Sequence, residues 1–254
     1  MKVVRTTAEL ETAAGTGLVP TMGALHEGHV ALLRAARQEN HAVVMSLFVN
    51  PAQFDEQADL DAYPRDEARD LAIAEAEEVD VVFAPGEAEL YPAGFATWVE
   101  PAHTGAEGDA RPGHFRGVAT VCLKLFNIVQ PERAYFGQKD AQQVAVIRRL
   151  VRDLNVPVEI RAVPTVRDPD GLALSSRNGR LSAGERERAL GLPRALASAA
   201  AAPDPVAAAR ASLNGLEPEY VEVLDLGGAT VLAAAVRVGS TRLIDNVLLE
   251  GELT

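Results

Sequence analysis

The sequence predicts an α/β protein: a parallel sheet with helices on both faces, followed by a smaller α+β unit. Three observations carry that expectation. Apolar runs of strand length alternate with segments of helical period through the first two thirds of the chain. The runs are rich in β-branched residues and nearly continuous, as strands buried on both faces require. The rhythm then changes near Pro164, where Arg167-Asp168-Pro169-Asp170-Gly171 makes a strong turn.

Taken in order, residues 17–20 read as a short strand and 28–38 as a helix. Residues 42–49 form a buried strand, 65–78 an acidic amphipathic surface helix, and 79–84 a second buried strand. A helix with an apolar face covers 115–129. A short strand at 133–136, a helix at 141–154 and a strand at 158–163 close this half. Repeated β-α-β units imply right-handed crossovers and a parallel sheet. Beyond the turn, Ser182-Ala183-Gly184-Glu185 is a capping box that opens a helix. The Ala-rich stretch 195–211 is interrupted at Pro203 and Pro205, and residues 220–225, 233–238 and 242–249 read as strands. The expected division is residues 1–165 and residues 166–254.

The charge narrows the partners. Twenty-four Lys and Arg face 36 Asp and Glu, for a formal net charge of −12. That field repels nucleic-acid phosphate and anionic membrane. It repels ATP as well, so a nucleotide site here needs a local cluster of cations. The single cysteine, Cys122, lies in an apolar run and reads as core. One cysteine allows no intrachain disulfide, which fits a reducing, cytoplasmic setting. No secretory leader is visible, and no apolar run approaches the roughly 20 residues that span a bilayer.

The first chemistry-bearing cluster is Pro20-Thr21-Met22-Gly23-Ala24-Leu25-His26-Glu27-Gly28-His29. It follows a strand and opens a helix, where parallel α/β sheets bind ligands. The helix start offers free N–H groups and partial positive charge, and Gly23 and Gly28 allow close backbone approach. His26 and His29 share a face if the first turn reaches His26. Zinc is a poor reading, because His-Glu-Gly-His is one residue short of the metalloprotease spacing. A cap or packing role is the bland alternative; an anion site fits the glycines better. His-x-Gly-His is also a signature of nucleotidyltransferases and class I aminoacyl-tRNA synthetases. A second cluster, Leu172-Ala173-Leu174-Ser175-Ser176-Arg177-Asn178, resembles the second phosphate-binding loop of that superfamily, although a polar turn with Arg177 in solvent would look the same.

With further motifs the resemblance narrows to one family. Phe48-Val49-Asn50-Pro51-Ala52-Gln53-Phe54, Asp61-Ala62-Tyr63-Pro64-Arg65, Arg111-Pro112-Gly113-His114-Phe115-Arg116-Gly117-Val118 and Tyr135-Phe136-Gly137-Gln138-Lys139-Asp140 follow in order. Together with the two clusters above they resemble pantothenate synthetases, and Thr241-Arg242-Leu243-Ile244-Asp245-Asn246 is similar to that family's carboxyl-terminal strand. The resemblance implies a Rossmann-like domain, a smaller lid domain, a homodimer, and ATP-dependent condensation of pantoate with β-alanine through pantoyl adenylate, with Mg²⁺. By position it implies that Met22, Gly23, Ala24, Leu25, His26, Glu27, Gly28 and His29 line ATP, with His29 the family's proposed acid. Gly137, Gln138, Lys139 and Asp140 form the next ATP segment. Val166 touches adenine, and Leu174, Ser175, Ser176 and Arg177 hold the phosphates. Gln53 meets both pantoate and β-alanine, Gln143 binds pantoate, and Asn50 and Arg111 match pocket positions. No Mg²⁺ ligand is assigned.

The chemistry agrees with that implication. A carboxylate attacking the α-phosphorus of ATP is already ionised at neutral pH, so no activated Ser or Cys is needed. Catalysis is then positioning plus neutralisation, which His26, His29, Lys139, Arg177 and Mg²⁺ are expected to supply. Gln53 and Gln143 donate hydrogen bonds without adding charge. The loop departs from the family pattern at Gln138, where Glu is usual. Two rivals stand: a nucleotidyltransferase that leaves the nucleotide on its product, and a non-catalytic nucleotide-binding or scaffolding protein. No nucleic-acid partner is expected.

Overall fold

The computed structural model describes residues 1–11, 13–102 and 105–253. Its first half contains β1 (Lys2–Val4), β2 (Thr16–Thr21), α1 (Glu27–Glu39), β3 (Ala42–Leu47), α2 (Gln57–Asp61), α3 (Glu67–Ala76) and β4 (Val81–Phe83). There follow α4 (Glu87–Leu90), α5 (Ala106–Ala110), α6 (His114–Val129), β5 (Arg133–Gly137), α7 (Ala141–Asp153) and β6 (Glu159–Val163). The six strands form one sheet in the order β1-β4-β3-β2-β5-β6, and every pairing is parallel.

Period-two packing explains the continuous apolar runs. Leu18, Val44, Phe83, Ala134 and Phe136 face the core beneath α6 and α7. Their neighbours Val19, Val43, Met45, Val82 and Tyr135 face the opposite core, beneath α1 and α3. Because successive side chains point to opposite faces, a strand covered on both must be apolar throughout.

Strand order positions the site. The chain leaves β2 through α1 towards β3 on one side, and leaves β5 through α7 towards β6 on the other. A crevice therefore opens between the carboxyl ends of β2 and β5, the topological switch point at which such sheets bind ligands.

Beyond β6 come α8 (Ala183–Ala189), α9 (Gly191–Ala199), α10 (Pro205–Ser212), β7 (Glu217–Asp225), β8 (Ala229–Val238) and β9 (Thr241–Gly251). The last three form an antiparallel sheet in sequence order. One face packs on α9 and α10 through Val221, Leu232, Ala234, Val236 and Leu243. The other carries Tyr220, Val231, Ala233 and Ala235 and packs on Ala106 and Ala141 of the first half. Ser182 caps α8 as expected: its hydroxyl accepts from the Glu185 N–H, and the Glu185 carboxylate accepts from the Ser182 N–H at 2.9 Å.

Some boundaries differ from the sequence reading. The acidic helix spans only α3, because Asp66 caps it after Pro64. β8 begins four residues before the expected start, since pairing continues back to Thr230 with β7 and to Ala229 with β9. β1 has no counterpart in the sequence reading; it has three residues and only Val4 is buried.

Candidate active site

A cleft of about 390 Å³ lies at the switch point, roofed by the antiparallel sheet. Its walls include Met22, His26, Gly28 and His29; Asn50 and Gln53; Arg111; Gly137, Lys139, Asp140 and Gln143; and Val166 with Leu174, Ser175, Ser176 and Arg177. Residues expected from five separate segments thus share one cavity. Gly23, Ala24 and Leu25 shape the loop behind it, with the Leu25 side chain wholly in the core. Glu27 points to solvent, and Gln138 stands outside the lining.

The loop after β2 is held in an uncommon conformation. Gly23 has φ +83° and Ala24 has φ +52°. Both lie in the left-handed region, costly for a residue with a Cβ. Asp70, on α3 and only 1% exposed, fixes this bend. Its two carboxylate oxygens accept the N–H groups of Ala24 at 2.9 Å and Leu25 at 2.8 Å. A Cβ on Gly23 would lie 2.7 Å from Asp70 Oδ2, so glycine is required there on two counts.

The bend ends at His26, which caps α1 instead of entering its first turn. His26 Nδ1 accepts from the Gly28 N–H at 3.1 Å, and His29 Nδ1 accepts from the His26 N–H at 3.3 Å. The ring centroids are 4.2 Å apart. With both Nδ1 atoms accepting, each neutral ring carries its proton on Nε2. Burial, reinforced by Lys139, pulls His26 down to about 4, and burial with His26 and Lys139 beside it pulls His29 down to about 3. The expectation that the histidines add positive charge is therefore corrected: at neutral pH they are uncharged N–H donors, because a buried imidazole beside a lysine resists protonation.

The cations expected from the sequence to supply charge, Lys139 and Arg177, both line the cleft. Lys139 sits in the 3₁₀ turn after β5, its Nζ 3.6 Å from Asp140 Oδ1. Arg177 follows Ser175, whose hydroxyl accepts from its N–H at 3.2 Å, and its guanidinium pairs with Asp59 of α2 at 2.8 Å. Arg180 joins the same carboxylate at 3.2 Å.

Gln53 occupies the 3₁₀ turn Pro51–Gln53, which rests against α6. The close approach needs Gly117, where a Cβ would lie 2.2 Å from the Ala52 carbonyl oxygen. Asn50 is 1% exposed and fully used: its amide donates to Gly117 O and Gln53 Oε1, while its oxygen accepts from Ala52 N–H and Tyr91 O–H. It orients Gln53. Arg111 donates to the Gln53 carbonyl at 3.2 Å and pairs with Asp55 at 3.1 Å. His114 Nδ1 lies 2.9 Å from the same carbonyl, and burial beside Arg111 holds this imidazole down at about 4.

Sequence reasoning assigned no role to Asp70, Asp59, His114 or the Glu107–Arg242 pair. In that pair the Arg242 guanidinium donates to both oxygens of Glu107 at 2.8 Å, and Tyr220 donates to Glu107 Oε2 at 3.1 Å. Only His114 and Arg242 fell within a recognised motif.

A parallel α/β sheet with paired histidines at the start of the helix after its second strand, and a lysine turn after the adjoining strand, defines an α/β protein with an anion-binding cleft at its switch point. Comparison with known proteins makes the identity narrower. A family model described as pantoate-beta-alanine ligase matches residues 1–248. The pantothenate synthetase of Chloroflexus aurantiacus (strain ATCC 29366 / DSM 635 / J-10-fl) is 54% identical, with 99% of both chains covered. That of Roseiflexus sp. (strain RS-1) is 52% identical over 98% of this chain and 100% of its own. Among solved structures, pantothenate synthetase from Thermus thermophilus superposes with a TM-score of 0.93 at 44% identity, covering 98% of this chain and 99% of its own. A pantoate-beta-alanine ligase from Francisella tularensis, complexed with beta-gamma ATP and beta-alanine, gives 0.86 at 36% identity, covering 99% of each. The chain belongs to the pantoate–β-alanine ligase family.

Proposed function

We propose that this cleft condenses pantoate with β-alanine in two half-reactions. The pantoate carboxylate attacks the α-phosphorus of ATP and expels pyrophosphate, leaving pantoyl adenylate. The β-alanine amine then attacks the activated carbonyl and AMP departs. One observation carries the assignment of residues: the His26–His29 cap and the Lys139 turn meet at the switch point, facing Ser175, Ser176 and Arg177 across a cleft that also contains Gln53 and Gln143.

In this reading the Nε2–H groups of His26 and His29 donate to phosphate oxygens at the partly positive start of α1. His29 acts through that hydrogen bond, as an N–H donor. Lys139 and Arg177 supply the charge, and Val166 lies against the adenine. Gln53 and Gln143 bind pantoate through their amides, with Gln53 also reaching β-alanine. Asn50 and Arg111 hold the Gln53 turn. Such donors stabilise charge that develops in the transition state without reorganising.

Mg²⁺ enters with ATP as part of the substrate. Among the described residues no group of three or more His, Cys, Asp or Glu is arranged to hold a metal, and Mg²⁺ is commonly held through substrate phosphates with one or two carboxylates. Residues 166–254 form the lid over residues 1–165, and the active species is a cytoplasmic homodimer that binds no nucleic acid. Among the described residues no helix is long and apolar enough to cross a membrane.

The test is isotope exchange. Labelled pyrophosphate should enter ATP when pantoate and Mg²⁺ are present and β-alanine is absent, and adding β-alanine should yield amide and AMP. A nucleotidyltransferase would accumulate an adenylated product without AMP, and a binding protein would show neither signal. Failure of pantoate-dependent exchange, or exchange without AMP on adding the amine, refutes the reading.

A further inference from the structure

The carboxyl-terminal strand reaches into the first half at one point that the reaction scheme above does not use. Asn246 lies on β9, on the face of the antiparallel sheet that turns towards the parallel sheet, and is 6% exposed. Its Nδ2 donates to the carbonyl of Gln138 at 3.0 Å and to the carbonyl of Lys139 at 2.8 Å. Two carbonyl acceptors admit only the NH₂ end of the amide, so the side-chain orientation follows from its partners. Among the described residues the amide oxygen has no hydrogen-bond partner, and Asn246 is part of the cleft wall.

Asn246 is itself anchored. Its N–H donates to Asp245 Oδ1 at 2.8 Å. Arg167 grips the same carboxylate with two hydrogen bonds, at 2.7 and 2.9 Å. Arg167 follows Val166, whose carbonyl accepts from the Leu174 N–H at 3.0 Å. A continuous chain of hydrogen bonds thus runs from the segment leading into Ser175–Arg177, through Arg167, Asp245 and Asn246, to the main chain of Lys139.

We propose that Asn246 is a positioning residue for Lys139. A 3₁₀ turn is a short, weakly bonded element, and Lys139 sits in its middle at the end of a strand. Asn246 clamps the consecutive carbonyls of Gln138 and Lys139 and refers the lysine to the opposing phosphate loop. The inference rests on the reading that Lys139 neutralises phosphate during adenylation.

The experiment is a double-mutant cycle on pantoate-dependent exchange of labelled pyrophosphate into ATP, with wild type, Asn246→Ala, Lys139→Ala and the double variant, and thermal unfolding recorded for each. Asn246→Ala should lower kcat about 10²-fold, the scale of a misplaced catalytic group, while KM for pantoate stays within about twofold. In the Lys139→Ala background the same change should cost less than about twofold, because residues acting through one group are not additive. Asn246→Asp is isosteric but sets a carboxylate oxygen against two carbonyls, and should match or exceed the alanine loss. Equal losses in both backgrounds, or an active Asn246→Asp, would show that Asn246 only packs. If Lys139→Ala leaves exchange intact, the lysine reading fails first and the proposal falls with it. Should Asn246→Ala not fold, Asn246→Ser, which keeps one donor, takes its place in the cycle under the same criteria.

Discussion

Asp70→Asn tests whether the loop that presents the paired histidines is held from behind. The carboxylate is buried and accepts two backbone N–H groups, at 2.9 and 2.8 Å, from the residues that follow Gly23. An amide keeps one oxygen acceptor and turns an NH₂ towards the other N–H. One charge-assisted hydrogen bond is lost and one buried N–H is left unpaired; each effect is worth roughly 1–3 kcal/mol, so about 3 kcal/mol in total after partial relaxation. In a chain of this size about 2–4 °C of melting temperature accompanies each kcal/mol, which gives a drop of roughly 6–12 °C. The bend at Gly23 and Ala24 should relax as well, moving His26 and His29, so pyrophosphate exchange should fall about 10²-fold even well below the melting temperature. Differential scanning calorimetry and the exchange assay, run on the same preparation, separate the two effects. A variant that melts within about 1–2 °C of wild type, the shift that accompanies roughly 0.5 kcal/mol, and exchanges at a wild-type rate would falsify this account of the loop.

Gly117→Ala should push the Pro51–Gln53 turn off α6, because the added Cβ would meet backbone at 2.2 Å; KM for pantoate should rise at least about tenfold with ATP affinity changed little, and equal losses for both substrates would point to general unfolding. Asp59→Asn should release Arg177 for phosphate and tighten ATP binding about two- to fivefold, the scale of a partly exposed ion pair; calorimetric titration showing weaker binding would mean that Asp59 orients the arginine instead. His26, His29 and His114 have folded-state pKa values near 4, 3 and 4, below the ordinary 6.5. The unfolded chain therefore takes up their protons first, so their stability contribution is full above about pH 6.5 and is lost as pH falls towards 4, at about 1.4 kcal/mol per pH unit for each proton. Denaturant unfolding across that window should lose slope in His114→Gln, and an unchanged slope would contradict a neutral buried imidazole.

The parallel half was legible because its strands are covered on both faces and must be apolar throughout. The antiparallel half was harder. Residues 230–232 pair on both sides, yet the strand begins beside Gly227-Gly228, which read as a turn. β1 has no readable period, since three residues with one buried side chain make none. At the site, His26, His29, Lys139, Arg177 and Gln53 were readable as residues of one cleft because local sequence carries their motifs, whereas the cap that His26 makes on α1 was the alternative set aside. The partners that hold them were not readable. Asp70 meets Ala24 across 46 residues, Asn246 meets Lys139 across 107, and Asp59 meets Arg177 across 118. On α3, Asp70 looks like any other carboxylate of a solvated helix; only the folded topology turns it inward against the loop.

The charge pattern of the cleft explains how a chain of net charge −12 accommodates a polyanion. With the histidines neutral, each cation already has a carboxylate beside it: Asp140 for Lys139, Asp59 for Arg177 and Arg180, Asp55 for Arg111, Glu107 for Arg242. These pairs are not equivalent. Glu107 and Arg242 are largely buried and joined by two hydrogen bonds, and Tyr220 donates to the same carboxylate. Breaking such a pair costs about 3–5 kcal/mol, because it strands a buried charge. The Lys139–Asp140 pair and the Asp59 carboxylate shared by Arg177 and Arg180 are more open to solvent, and partly exposed pairs are worth only about 0–1 kcal/mol each. A triphosphate offering several charge-assisted hydrogen bonds outcompetes the second kind and not the first. On the proposed reading, the cations that meet phosphate are those whose carboxylates are easily displaced, while the pair that ties the antiparallel sheet to α5 stays closed and keeps the roof over the cleft in register.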